Sequence, residues 1–161
     1  MDEKSQVLDL EIDNLSAQDA MKLIVDYMGT EPVSVVEMVT MNTLGKFQYD
    51  DSATVLFENF DIALASDRGM LEAAGETDER RLKEVDELLF IKMVMRFLHK
   101  NSARVFLLAE DITDLQKLEK YMQEDYFNIQ VIGNATMEDN AESDDMLLNL
   151  LNGAEAECIL S

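Results

Sequence analysis

The sequence predicts an α/β fold in which a mostly parallel sheet is covered by helices on both faces. Three observations predict it. Short apolar, β-branched runs alternate with longer amphipathic stretches, the pattern of parallel strands joined by crossover helices. A length of 161 residues is that of one ordinary domain, and a chain of this size buries about 70% of its unfolded surface. Hydrophobic residues make up 47% of it against a single proline, which supplies a core and argues against disorder.

The elements follow in order. Residues 7–12 read as a first strand. Ser16 then has the position of an N-cap, with Asp19 three residues on and Ala20, Leu23, Ile24 and Tyr27 at helical spacing. Gly29 and Pro32 end that helix. Residues 33–40 form an apolar, β-branched strand suited to burial on both faces. Residues 43–60 read as a helix interrupted near Asp50-Asp51, and 62–65 as a short third strand. Residues 77–100 carry the longest helical pattern, with Leu82, Val85, Leu88, Leu89, Met95 and Leu98 on its apolar face. His99 and Lys100 close it, where positive charge suits the helix dipole. Residues 105–109 make a strand, and Thr113 with Gln116 has capping-box spacing for a helix reaching Tyr126. Residues 129–132 make another strand and 134–142 a polar loop. Ser143 caps a helix that Gly153 ends as its C′ residue, and 157–160 form the last strand. This succession implies a single domain over 1–161 with a Rossmann-like three-layer sandwich.

Charge and cysteine content narrow the function. Against 13 Lys+Arg stand 34 Asp+Glu, a net charge of −21, and such a field repels nucleic acid and anionic lipid. An acidic face of this kind favours solubility and offers itself to a basic protein partner. Cys158 is the only cysteine and sits in an apolar stretch, where it reads as a small hydrophobe rather than a nucleophile. No apolar run approaches the roughly 20 residues needed to cross a bilayer. The opening Met1-Asp2-Glu3-Lys4 lacks the basic and apolar regions of a signal peptide. A cytoplasmic protein is expected, with membrane contact at most peripheral. The sheet edge at Leu160 offers a place for self-association.

Candidate chemistry is sparse. His99 is the sole histidine and reads as a surface residue compensating a helix dipole. Asp50-Asp51 and Asp144-Asp145 read as solvated or first-turn acids rather than a metal site, and no metal or cofactor is expected. The turn Ala109-Glu110-Asp111-Ile112-Thr113 would repel phosphate rather than cradle it. One segment stands apart: 61–69 puts Asp67 just beyond a strand's carboxyl end, followed by Arg68 and Gly69. Asp67 there is either a general base or, with Ser66, a helix cap. The cap is the commoner role.

The order of segments carries a resemblance. Val39-Thr40-Met41-Asn42 is similar to the Thr-x-Asn segment that opens the core of the WecG/TagA/CpsF glycosyltransferases. Residues 61–69 resemble that family's Asp-Leu-Val-x-Pro-Asp-Gly segment, and 81–86 have the spacing of its Arg-Val-x-Gly-x-Asp motif, with Glu84 at the glycine. Arg104-Val105-Phe106-Leu107-Leu108 resembles its Arg-Val-Phe-Leu-Leu-Gly strand. Residues 126–133 resemble Tyr-Pro-x-Leu-x-Ile-Val-Gly, and 152–160 the strand leading to its Gly-x-Pro-Lys-Gln-Glu loop. The resemblance covers nearly the whole chain and roughly the first two-thirds to three-quarters of a typical member. It implies transfer of N-acetylmannosamine or a related hexose from a UDP-sugar to a polyprenyl-diphosphate-linked acceptor, in bacterial cell-surface polysaccharide or teichoic acid synthesis. It implies that the catalytic aspartate is Asp67 with one residue inserted, or that Ser66 takes its place without a gap. It implies that Thr40 and Asn42 face the substrate and that Arg81 binds phosphate. The alternative it leaves open is a catalytically degenerate relative acting as a binding or regulatory partner.

Overall fold

The computed structural model describes residues 4–7, 10–30, 33–47, 55, 58–137 and 141–161. It is a mixed α/β structure with parallel pairing in two of its sheets, in two compact units, Met1–Val94 and Met95–Ser161.

In the first unit, β1 (Lys4–Val7) and β2 (Leu10–Asp13) form an antiparallel hairpin with Lys4 opposite Asp13 and Val7 opposite Leu10. One strand over 7–12 was expected. The polar sequence of β1 hides it from an apolar pattern, and Lys4 pairs with Glu11 across the hairpin at 3.1 Å. Helix α1 (Ala17–Tyr27) starts where the sequence predicts, with Ser16 Oγ accepting from Asp19 N–H at 3.1 Å. Strand β3 (Val36–Val39) is shorter than 33–40 because its partner β4 (Ile62–Ala65) is only four residues long; the two run parallel in register Val36↔Ile62 to Val39↔Ala65. Beyond the ladder, Val33 is 85% exposed.

All four residues of β4 are buried and they alternate between two clusters. Ala63 and Ala65 pack with Val39, Leu44, Met70, Leu71 and Leu82, whereas Ile62 and Leu64 pack with Ala20, Leu23 and Phe90. Helices therefore cover β4 from both sides, as expected. The helices of the first face are α2 (Met41–Phe47), α3 (Arg68–Ala73) and α4 (Glu79–Asp86). Helix α3 starts at the cap that the sequence offered at Ser66 or Asp67, and the cap is Asp67; the interruption expected at Asp50-Asp51 lies outside the described residues. The single helix expected over 77–100 is broken into α4 and α5 (Leu89–Lys100). The break has a physical cause: Leu82 serves one cluster and Phe90 the other, and a straight helix cannot reach both faces of β4. Leu88 makes the turn with φ +52°, a conformation that costs a non-glycine residue about 1–2 kcal/mol.

The second unit holds a parallel sheet in the order β6-β5-β7, from β5 (Arg104–Ala109), β6 (Gln130–Thr136) and β7 (Cys158–Leu160). Between them run α6 (Ile112–Asp125) and α7 (Ala141–Gly153). Val105, Phe106, Leu107, Leu115 and Met122 are buried, each large apolar side chain contributing about 1.5–3 kcal/mol. A bulge after Val105 sets Phe106 opposite Gly133. A Cβ at that glycine would lie 2.7 Å from the Phe106 ring, so the ring needs the glycine.

Four expectations are corrected here. The cap of α6 is Asp111, not Thr113; its Oδ1 accepts from Thr113 N–H at 2.7 Å and Asp114 N–H at 2.9 Å. A carboxylate accepts from both amides where one hydroxyl satisfies fewer, and these bonds hold its pKa below the usual range. Strand β6 runs on to Thr136, through the start of the expected polar loop, because six-residue β5 pairs with it as far as Ala109↔Thr136. Helix α7 begins before Ser143 and includes Gly153; the left-handed residue is Glu155 at φ +52°, so Gly153 is not needed for the reversal. Finally, His99 is half-buried rather than solvated. Its ring stands edge-on to Phe127 at 5.1 Å and Tyr126 at 6.1 Å, and its buried Nδ1 has no partner among the described residues.

Candidate functional site

The parallel pair β3–β4 ends at Val39 and Ala65 side by side, so Thr40 and Ser66 leave the sheet together at its carboxyl edge, where α/β folds bind ligands. Ser66 fastens this edge, since its N–H and Oγ both donate to Val39 O at 2.9 and 3.0 Å. Thr40 caps α2: its Oγ1 accepts from Thr43 N–H at 2.9 Å and lies 2.8 Å from the Thr43 hydroxyl.

Asp67 joins the two helices that start at this edge. Its Oδ1 accepts from Met70 N–H (2.9 Å) in the first turn of α3, and its Oδ2 accepts from Met41 N–H (3.0 Å), the first residue of α2. Of the two readings open in the sequence, the structure shows the cap: Asp67 caps both helices, and it stands at the carboxyl edge. A carboxylate has about four lone-pair positions, so two remain for a substrate. Asn42 follows Met41 in the first turn of α2 and is exposed.

Beside this edge, within the same unit, lies an open cleft. Its lining includes Asp13, Leu15, Ala17, Ser66, Arg81, Glu84 and Phe90; Thr40, Asn42 and Asp67 lie outside it. Of the predicted residues, then, the structure gathers Thr40, Ser66 and Asp67 at the strand ends, and joins Ser66 to Arg81 through the cleft. Arg81 comes from α4 with its side chain only 17% exposed. Its Nη1 donates to Glu84 Oε2 at 2.9 Å and its Nη2 to Asn14 Oδ1 at 3.2 Å. The same Glu84 oxygen accepts from Ala17 N–H, the first residue of α1, at 3.0 Å.

Arg68, the one cation of the segment 61–69, is bound elsewhere. It donates to Glu72 at 2.8 Å, Glu79 at 3.1 Å and Asp86 at 3.2 Å, bonds that raise its pKa further, those to Glu72 and Asp86 most. Its work is to tie α3 to α4.

Glu84, Asn14 and Asp13 are the site residues that the sequence reading missed. The i,i+3 spacing of Arg81 and Glu84 is the one signal that reveals a partner. Asn14 and Asp13 lie 67 or more residues from Arg81 in sequence, and no local pattern marks them. Asp13 Oδ2 accepts from Ala63 N–H at 2.8 Å, pinning the cleft wall to β4.

Residues 5–161 match the profile of the glycosyl transferase WecG/TagA/CpsF family. No curated protein matches the chain.

Proposed function

The chain belongs to the glycosyl transferase WecG/TagA/CpsF family, and from that premise we propose that it transfers N-acetylmannosamine or a related hexose from a UDP-sugar to a polyprenyl-diphosphate-linked acceptor. The observation that carries this reading is the carboxylate of Asp67, held by two helix amides at the carboxyl edge of a parallel pair. Two fixed N–H donors orient it without using all its lone pairs, which suits a positioned general base. In the step proposed, the acceptor hydroxyl oxygen attacks the anomeric carbon as the bond from that carbon to the UDP oxygen breaks. UDP leaves with the bonding electron pair, and the hydroxyl proton passes to Asp67. Thr40, Asn42 and Ser66 line the substrate side of the edge, and Arg81 balances charge on the diphosphate. The setting proposed is cell-surface polysaccharide or teichoic acid synthesis at the cytoplasmic side of the membrane. No helix among the described residues is long and apolar enough to cross one.

The test is release of UDP from UDP-N-acetylmannosamine in the presence of a polyprenyl-diphosphate acceptor. Asp67→Asn should lower turnover by about 10²–10⁴-fold, the range for loss of a general base, with circular dichroism showing the fold retained. Unchanged turnover in that variant would remove Asp67 from the chemistry.

One observation favours a second reading, a relative that keeps the fold as a binding partner. Arg81 already has its counter-charge in Glu84. Absence of turnover in the wild-type chain with authentic donor and acceptor would bring this reading forward.

A further inference from the structure

Two donors in the cleft converge on one protein oxygen. Arg81 Nη1 and Ala17 N–H lie 2.9 and 3.0 Å from Glu84 Oε2, an arrangement of guanidinium and helix amide that matches what a phosphate oxygen requires. The carboxylate of Glu84 occupies it. Nor is the pair a loose surface contact: side-chain exposures of 17% and 26% put both groups partly out of water, where a charge-assisted bond is stronger than at an exposed site. Asn14 Oδ1 accepts from the remaining arm of Arg81. Asp13 lines the same cleft, with its Oδ2 held by Ala63 N–H.

We propose that Glu84 is an internal anion that keeps Arg81 masked, so that the cleft admits a diphosphate only when Glu84 is displaced or neutralised. This rests on the reading of Arg81 as the phosphate-binding residue and adds the regulation of that site. A ligand oxygen replacing Glu84 finds both donors already in place, but it must displace a carboxylate that is tethered, permanently present and bonded twice. Arg81 in this chain is accordingly a conditional anion site. The anion it selects must offer more than one charge or bring contacts along the rest of the cleft.

The experiment is calorimetric titration of the full chain and of Glu84→Gln, Glu84→Ala and Glu84→Ala/Arg81→Ala with UDP and, separately, with inorganic pyrophosphate. Glu84→Gln keeps an acceptor for Ala17 N–H, so it guards against a variant that fails to fold, and urea unfolding verifies each protein. The expected result is that both single variants bind at least one of the two probes about tenfold or more tighter than wild type, the scale of one hydrogen bond to a charged group. The double variant should lose that gain. Equal Arg81-dependent affinity in wild type and single variants would overturn the masking role while leaving the proposed donor site intact. Tighter Arg81-dependent binding of pyrophosphate without any binding of UDP would support masking and count against the UDP-sugar reading. No binding of either probe by any folded variant would overturn the inference.

Discussion

Asp67 offers each carboxylate oxygen to a different helix, and the sequence allowed the cap without saying that it serves two helices at once. The position beyond β4 was readable because a strand end followed by an acid is a local pattern; the bond to Met41 N–H, 26 residues away, is not. The cap at Ser16 was readable for the same reason of locality. Glu84 shows the opposite case. It stood in the sequence as the residue in place of a motif glycine, and while its bond to Arg81 is local, its bond to Ala17 depends on a chain reversal. A residue-scale prediction concerns Cys158, whose thiol burial pushes up to about 11. The folded form holds this proton more tightly than the unfolded form does. Its contribution, about 3 kcal/mol for two pKa units, is therefore complete below about pH 9 and lost as pH rises toward 11. Urea unfolding at pH 8 and pH 10.5 should show wild type losing more stability than Cys158→Ala over that interval. Equal losses would mean that the thiol titrates alike in both states.

Among elements, the most instructive departure is the break between α4 and α5. Periodicity over 77–100 is genuinely helical, and no glycine or proline interrupts it. What interrupts it is the demand of two clusters on opposite faces of β4, a tertiary constraint that a one-dimensional pattern does not contain. The strain is met at Leu88, with φ +52° and nearly half its surface exposed. In a helix interior glycine is about 1 kcal/mol less stable than alanine; at position 88 the order should reverse. Leu88→Gly is expected to be more stable than Leu88→Ala by about 1 kcal/mol, since only alanine retains the left-handed penalty. Chemical denaturation of the two variants decides it, and the ordinary ranking would show that the chain straightens there. Strand ends followed a similar logic. Ladders stop where a partner stops, which shortened β3, and continue where a partner continues, which lengthened β6 past its apolar residues.

At the scale of the molecule, class was the most legible property of all. Alternation of strand and helix fixes parallel pairing, and both parallel sheets follow from it. Net charge is the whole-molecule quantity with the clearest physical consequence. With −21, self-repulsion is long-range and uncompensated, whereas the ion pairs are mostly exposed and each is worth little. Salt screens both, and the larger effect decides the sign. Raising NaCl from about 0.01 to 0.15 M, which shortens the screening length from about 30 to 8 Å, should raise Tm by a few degrees in scanning calorimetry. A fall in Tm would show that the ion pairs outweigh the repulsion.

The double capping by Asp67 bears on how such a protein changes over generations. A side chain that starts two helices is guarded by selection for folding, whether or not sugar transfer is still under selection. A lineage in which transfer has become dispensable would go on rejecting most replacements at position 67, and its aspartate would persist like a keystone in a disused arch. Loss or regulation of activity is then more readily acquired beside Arg81, where a single acidic substitution silences a cation and leaves the helices standing.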